Sequence, residues 1–137
     1  MVKISAKLKL LMLISKAEAI ISRKFQSQGL SFIDVMVLHS ISEAPEQKMR
    51  CVDLADQVGL TASGVTRLLA PLEKFGVIKR VTNEHDARSS HIVLTNSGKT
   101  MLKDAVNIMS EQCEDLIQTS KYTELRDANR ILKLIAG

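Results

Sequence analysis

Apolar residues recur at steps of three and four over most of this chain, and the breaks in that rhythm predict six helices and one β-hairpin. Leu10, Ile14, Ala17, Ile21 and Phe25 form one stripe of a long first helix, with Ile4, Leu8 and Leu11 as a second stripe. Gln28-Gly29 ends it. Ser31 predicts an N-cap for a second helix reaching about Ser42, with Ile33, Val37 (or Met36) and Ile41 inward, and Glu43-Ala44-Pro45 breaks it. A short helix follows over Val52–Val58, with Leu54, Ala55 and Val58 as its core face. Gly59 suits the positive φ of a tight turn. Thr61 caps a fourth helix that runs to Phe75 and stops at Gly76. Val77–Val81 and His91–Leu94 predict two strands, and the polar stretch Thr82–Ser90 between them predicts a long hairpin loop. Thr95 starts a fifth helix with the stripe Leu102, Ala105, Met109, Cys113 and Leu116. Leu125, Ala128, Leu132 and Ile135 mark the last one.

Val52–Val58, Gly59-Leu60 and Thr61–Phe75 have the layout of a helix-turn-helix, two helices joined by a few residues containing Gly. The hairpin that follows makes it a winged one. The expected fold is therefore mostly α with a small β-hairpin wing. Residues 31–95 form the winged helix-turn-helix, residues 1–28 and 96–137 supply flanking helices, and all 137 residues form a single domain.

The second helix of such a module buries one face and leaves the other free. Val65, Leu68, Leu69 and Leu72 supply the buried face; Ala62, Ser63, Thr66, Arg67 and Ala70 lie opposite. A helix enters the major groove of DNA only where its leading side chains are short enough for close approach. Hydroxyls bond phosphates or base edges, and Arg grips guanine O6 and N7 with two donors. A solvated face more often carries Glu and Lys, and none occurs between Thr61 and Ala70. Pro71 removes one backbone bond and typically costs about 3 kcal/mol inside a helix, so a bend is expected there, after the leading turns. The loop Asn83–Ser90 adds a protruding Arg88, suited to the narrow minor groove of A·T-rich DNA, with Asp86 orienting it through a charge-assisted bond.

Composition sharpens this only in part. The net charge of +4 is unevenly placed: residues 1–28 hold six Lys/Arg against one Glu, and residues 61–80 four against one. Charge alone cannot say which region meets a polyanion. There is no Trp and only Tyr122 as Tyr, too few aromatics for single-strand binding by stacking. Lys3, Lys7 and Lys9 precede a short apolar run, Leu10–Ile14, and Ala17-Glu18-Ala19 mimics a cleavage site. The run is too short for a signal peptide and Lys16 interrupts its exit, so secretion is rejected and a cytoplasmic location expected. No stretch is long enough to span a membrane. Cys51 and Cys113 make no disulfide framework, and His39, His85 and His91 show no metal-ligand spacing, so no metal and no cofactor is expected. No nucleophile motif, phosphate loop or acid-base carboxylate pair is found, and an enzyme is not expected.

The order of these pieces resembles the MarR family of bacterial transcriptional regulators. Val52–Leu60 looks like that family's first motif. Thr61–Gly76, with Val65-Thr66-Arg67-Leu68-Leu69 and Leu72-Glu73-Lys74, looks like its recognition helix. Arg80, then Asp86-Ala87-Arg88, then Leu94-Thr95 and Gly98-Lys99, resembles its wing and exit. The resemblance implies a homodimer with intertwined N- and C-terminal helices, in which two winged modules read a palindromic operator. Ser63, Thr66 and Arg67 would approach the major groove and Arg88 the minor groove. The candidate DNA-binding set is Thr61, Ser63, Thr66, Arg67, Arg80, Asp86 and Arg88.

The first and last helices carry more apolar surface than a monomer of this size easily covers, which independently favours a partner helix. Basic residues 1–28 could then pair with Glu111, Glu114 and Asp115 across the dimer. The resemblance also implies release of DNA by a small aromatic or phenolic ligand, with Arg23, Met36 and His39 as candidate pocket residues near Met109. Two other readings stay open: a protein-interaction adaptor, and a redox sensor using Cys51, which precedes a helix N-terminus where a thiolate is stabilised. Cys113, on an apolar stripe, reads as a buried structural residue.

Overall fold

The computed structural model describes residues 1–83, 86–118 and 121–137, and the backbone alone at 83 and 86–89. Helix α1 spans Ala6–Lys24, and the Ser5 hydroxyl accepts a bond from the Leu8 amide to cap it. It ends earlier than the stripe predicted. Phe25 is already extended, and Gln26–Ser27 (β1) pairs with Leu30–Ser31 (β2) in a minimal antiparallel ladder. Gln28 and Gly29 have φ of 52° and 82°, the two positive values that a tight two-residue hairpin turn needs. The correction moves Phe25 from a helix face to the core, where its ring meets that of Phe32 edge-on at 5.5 Å.

Ser31 caps helix α2 (Phe32–Glu43) reciprocally with Asp34: the Asp34 amide donates to the Ser31 hydroxyl, and the Ser31 amide to the Asp34 carboxylate. Val35, Val37, Leu38 and Ile41 are buried. Met36 is 39% exposed and Val37 wholly buried, which settles the choice between them. After α2 a single 3-10 turn, Pro45–Gln47, holds Glu46 and Gln47 at φ of 58° and 55°. Met49 then bridges Ile92 on the wing: its amide donates to the Ile92 carbonyl at 3.2 Å, and its carbonyl accepts from the Ile92 amide at 2.7 Å.

Helix α3 (Cys51–Val58) ends on Gly59 at φ 73°, and α4 (Ala62–Lys74) starts on Thr61, whose hydroxyl accepts from the Gly64 amide. Leu54 and Ala55 of α3 and Val65, Leu69 and Leu72 of α4 turn into the core shared with α2. Helix α4 continues through Pro71 to Lys74.

The wing is longer than expected. Strand β3 covers Ile78–Asn83 and β4 covers Asp86–Leu94, with Ile78 opposite Leu94 and Asn83 opposite Asp86, and a register shift between Val81 and Asn83. Most of the stretch expected as loop, Thr82–Ser90, is therefore strand. Apolar alternation is the signal that reports a strand, and the polar stretch Thr82–Ser90 carries none.

Thr95 locks the wing to the next helix. Its amide and hydroxyl both bond the Val77 carbonyl, and its hydroxyl oxygen caps α5 (Asn96–Leu116) at the Gly98 amide. Gly98 is buried so closely against Val77 that a Cβ there would collide with the Val77 carbonyl oxygen. Leu102, Ala105 and Met109 of α5 are buried as the stripe predicted, but Cys113 is exposed and Leu116 is 38% exposed. The reading of Cys113 as a buried structural residue is corrected for the single chain, because the last turns of α5 run past the packed core. Helix α6 (Tyr122–Ala136) likewise buries no residue within one chain, and neither does α1.

Candidate nucleic-acid interface

Helix α4 presents the surface the sequence suggests. Thr61, Ala62, Ser63, Thr66, Arg67 and Ala70 are all exposed, while Val65 and Leu69 hold the opposite face with no accessible surface. Ser63, Thr66 and Arg67 fall at i, i+3 and i+4 and so share one side of the helix. Their hydroxyls are not equally available. Thr61 uses its oxygen to cap the helix and lies 3.3 Å from the Ser63 hydroxyl. Thr66 donates its proton to the Ala62 carbonyl at 3.0 Å, which leaves it only an acceptor. Arg67 enters no ion pair or hydrogen bond among the described residues, so its five donors remain free.

Arg80 is differently placed. From β3 its Nε donates to Glu73 Oε2 on α4 at 2.9 Å, and its Nη1 lies 3.7 Å from Cys51 Sγ at the start of α3. Burial works against its charge, but the bonds to Cys51 and Glu73 outweigh that and hold its pKa above the ordinary value. Arg80 thus ties three elements of the winged module together. Glu73 was not among the expected site residues. No local pattern could have marked it, since its partner is seven residues away across a turn.

Arg50 is a second omission. It forms the N-cap position of α3 and makes a two-pronged pair with Asp53, Nε–Oδ2 at 3.0 Å and Nη2–Oδ1 at 3.2 Å. That bond is the main reason the Asp53 carboxyl is held below the usual carboxylate range. The signal was the Arg-x-x-Asp spacing at a helix start. Asp86 and Arg88 stand on β4; their side chains, and the bond expected between them, lie outside the described residues.

The expected ligand pocket is only partly assembled. His39 lines a cavity of about 590 Å³, but Arg23 and Met36 are not in its wall, and Met109 is buried in the core. The walls are instead the end of α2, the turn after it, β4 and the first half of α5. No cluster of three metal-ligating side chains occurs among the described residues, and none of their helices is long and apolar enough to cross a membrane.

A helix with a short-chained exposed face, buttressed by a hairpin and flanked by long helices, defines a winged helix-turn-helix protein. The MarR family model matches residues 33–90. The HTH-type transcriptional regulator SarZ of Staphylococcus epidermidis is 28% identical over 103 residues, which are 75% of this chain and 66% of the relative, a little under two-thirds of its length. Among solved structures, the transcriptional regulator BldR from Sulfolobus solfataricus superposes with a TM-score of 0.82 at 26% identity, covering 97% of this chain and 99% of that one. Sco3205, a MarR family transcriptional regulator from Streptomyces coelicolor solved in complex with DNA, gives 0.79 at 20% identity, covering 99% of this chain and 90% of that one. The chain is thus similar to the MarR family over its winged module, and these relatives are transcriptional regulators.

Proposed function

We propose that this chain is a sequence-specific double-stranded DNA-binding regulator acting as a homodimeric repressor on a palindromic operator, and that a small-molecule ligand releases it. The observation that carries the reading is the exposed side of α4, where Ser63, Thr66 and Arg67, which has no partner among the described residues, stand on a helix free of acidic side chains until Glu73. Short residues allow the helix axis close to base edges, and a free guanidinium supplies the two parallel donors that guanine accepts. An adaptor would present an apolar or acidic face there. The solved DNA complex of Sco3205, which shares this fold, supports the same use of the module.

Dimerisation rests on the surfaces that one chain leaves open. A groove between α1 and α6 is lined by Leu10, Leu13, Ile14, Ala17, Ala128, Ile131 and Leu132. Leu13 is 51% and Leu132 42% exposed. Helices that bury nothing of their own gain little stability alone, and a second copy's helices offer the matching apolar stripe. The basic first helix would then meet Glu111, Glu114 and Asp115 of its partner.

A thiol-responsive variant of this reading has one observation in its favour. Cys51 is the first residue of α3 and its sulfur touches Arg80, so oxidation there would disturb the link between wing and recognition helix. The direct test of the main reading is titration with duplex DNA at low and raised salt, for the native chain and for Arg67→Ala. Salt-dependent binding weakened by the substitution is expected; equal binding by both proteins rejects the groove assignment.

A further inference from the structure

Three hydroxyl groups stand at the leading end of α4, and the hydrogen bonds they already make give them different chemistry. A hydroxyl carries one proton and two lone pairs, so what it can still offer depends on where its proton goes. The Thr61 oxygen accepts from the Gly64 amide at 3.0 Å and stands at the cap, before the first helical residue. Ser63 lies 3.3 Å from the Thr61 hydroxyl, where either oxygen can donate, so Ser63 keeps both roles. Thr66 differs. Its proton goes to the Ala62 carbonyl at 3.0 Å, one turn back along the same helix.

The residue type builds that bond in. Two substituents on Cβ stiffen Thr in a helix, and the rotamers it favours there set its hydroxyl against the carbonyl three or four residues earlier. The carbonyl it bonds belongs to the first residue of α4. That turn is held by the Thr61 cap and by the Val65 amide, which donates to the Thr61 carbonyl at 3.0 Å. Thr66 is exposed while Val65 and Leu69 fill the opposite face, so its remaining lone pairs are open to a partner outside the chain.

We propose that Thr66 determines specificity as an acceptor alone, selecting the exocyclic amine of adenine or cytosine in the major groove and rejecting guanine and thymine at that position. This rests on the groove reading above and adds a base class to it. In the major groove adenine N6 and cytosine N4 are donors, whereas guanine O6 and N7 and thymine O4 are acceptors. Each base pair thus carries one amine, on one strand only, and a side chain that only accepts fixes which strand bears it. Arg67, next in the chain, has the opposite character, since a guanidinium only donates and this one has no partner among the described residues. The two neighbours therefore ask for opposite edges, Arg67 for an acceptor such as guanine and Thr66 for an amine. A phosphate oxygen, itself only an acceptor, is equally excluded as a partner of Thr66.

The test selects bound sequences from a random duplex pool with the full native chain, with Thr66→Val and with Thr66→Ser. The first variant keeps the shape of the side chain without its oxygen, and the second keeps the oxygen without the methyl group. The expected motif has a half-site position held by A or C on one strand for the native chain and for Thr66→Ser. With Thr66→Val that position should relax to all four bases while the rest of the motif persists. In the selected duplex, purine in place of adenine there, or 2-pyrimidinone in place of cytosine, deletes the amine alone. The deletion should weaken native binding roughly three- to tenfold, the worth of one hydrogen bond, and leave binding by Thr66→Val unchanged. Loss of the preference in Thr66→Ser as well assigns it to the methyl group and overturns the proposal. A relaxed position that held G or T in the native motif also overturns it. A native motif that Thr66→Val leaves unaltered overturns this inference alone, whereas a native pool that stays random removes the groove reading together with it.

Discussion

Glu73 on the recognition helix and Arg80 on the first wing strand are joined at 2.9 Å across the turn that links helix to wing. The pair links the two parts that are proposed to meet neighbouring grooves. Both side chains are more than a third exposed, so its worth to folding is small, under about 1 kcal/mol. Under the proposed reading its worth to binding is larger, because both groove contacts are made at once. Glu73→Gln is therefore expected to leave the melting temperature within a few degrees of native while weakening DNA binding severalfold. A melting curve beside a binding titration checks this, and an unchanged affinity counts against the buttress.

Arg67 tests the groove contact itself. If its guanidinium reads a base, Arg67→Ala costs about 1–3 kcal/mol of discrimination and relaxes preference at one position of the site. If it meets a phosphate, affinity falls evenly over all sequences and the salt slope drops by about 1. Competition between specific and random duplexes at several salt concentrations separates the two. Stability should hardly change, since the side chain is exposed and has no partner among the described residues.

Gly98 gives a prediction of unusual sign. Replacing Gly by Ala inside a helix normally stabilises by up to about 1 kcal/mol. Here the added methyl group would enter the space of the Val77 carbonyl oxygen, a backbone atom that is itself bonded to Thr95 and cannot easily retreat. Gly98→Ala should destabilise by roughly 2–4 kcal/mol. Chemical denaturation measures it, and a neutral or stabilising outcome refutes this close approach of α5 to the wing.

The apolar groove between α1 and α6 predicts a change of assembly. Leu13→Glu with Leu132→Glu sets charges into surface that a second chain is proposed to cover. Sedimentation should show a dimer for the native chain at micromolar concentration and a smaller, less stable species for the variant. A stable native monomer would remove the dimer from the proposal.

Much of the fold was legible because its helices announce themselves locally. Ser31 and Thr61 are legible as caps, Thr95 as a helix start and Gly59 as a turn, from residue type and position alone. Two differences share one cause. The spacing puts Phe25 on a helix and the polar composition puts Thr82–Ser90 in a loop, because a two-residue strand and a polar strand both lack an apolar alternation to read. Cys113 misled in the opposite way: its stripe is real, but one chain supplies nothing to cover it. In the candidate site the exposed face of α4 could be derived from helical spacing. The Glu73–Arg80–Cys51 contact and the cavity wall could not, since they join residues from separate elements and depend on packing alone.

Selection of bound sequences from a random pool of duplexes, run with the native chain and with Arg67→Ala, tests the central claim most directly. The expected result is enrichment of a two-fold symmetric motif whose half-sites lie about 10 base pairs apart, or a multiple of that spacing, with enrichment lost or relaxed for Arg67→Ala. The contrary result is a pool that stays random for the native chain, or a motif that the substitution leaves unaltered.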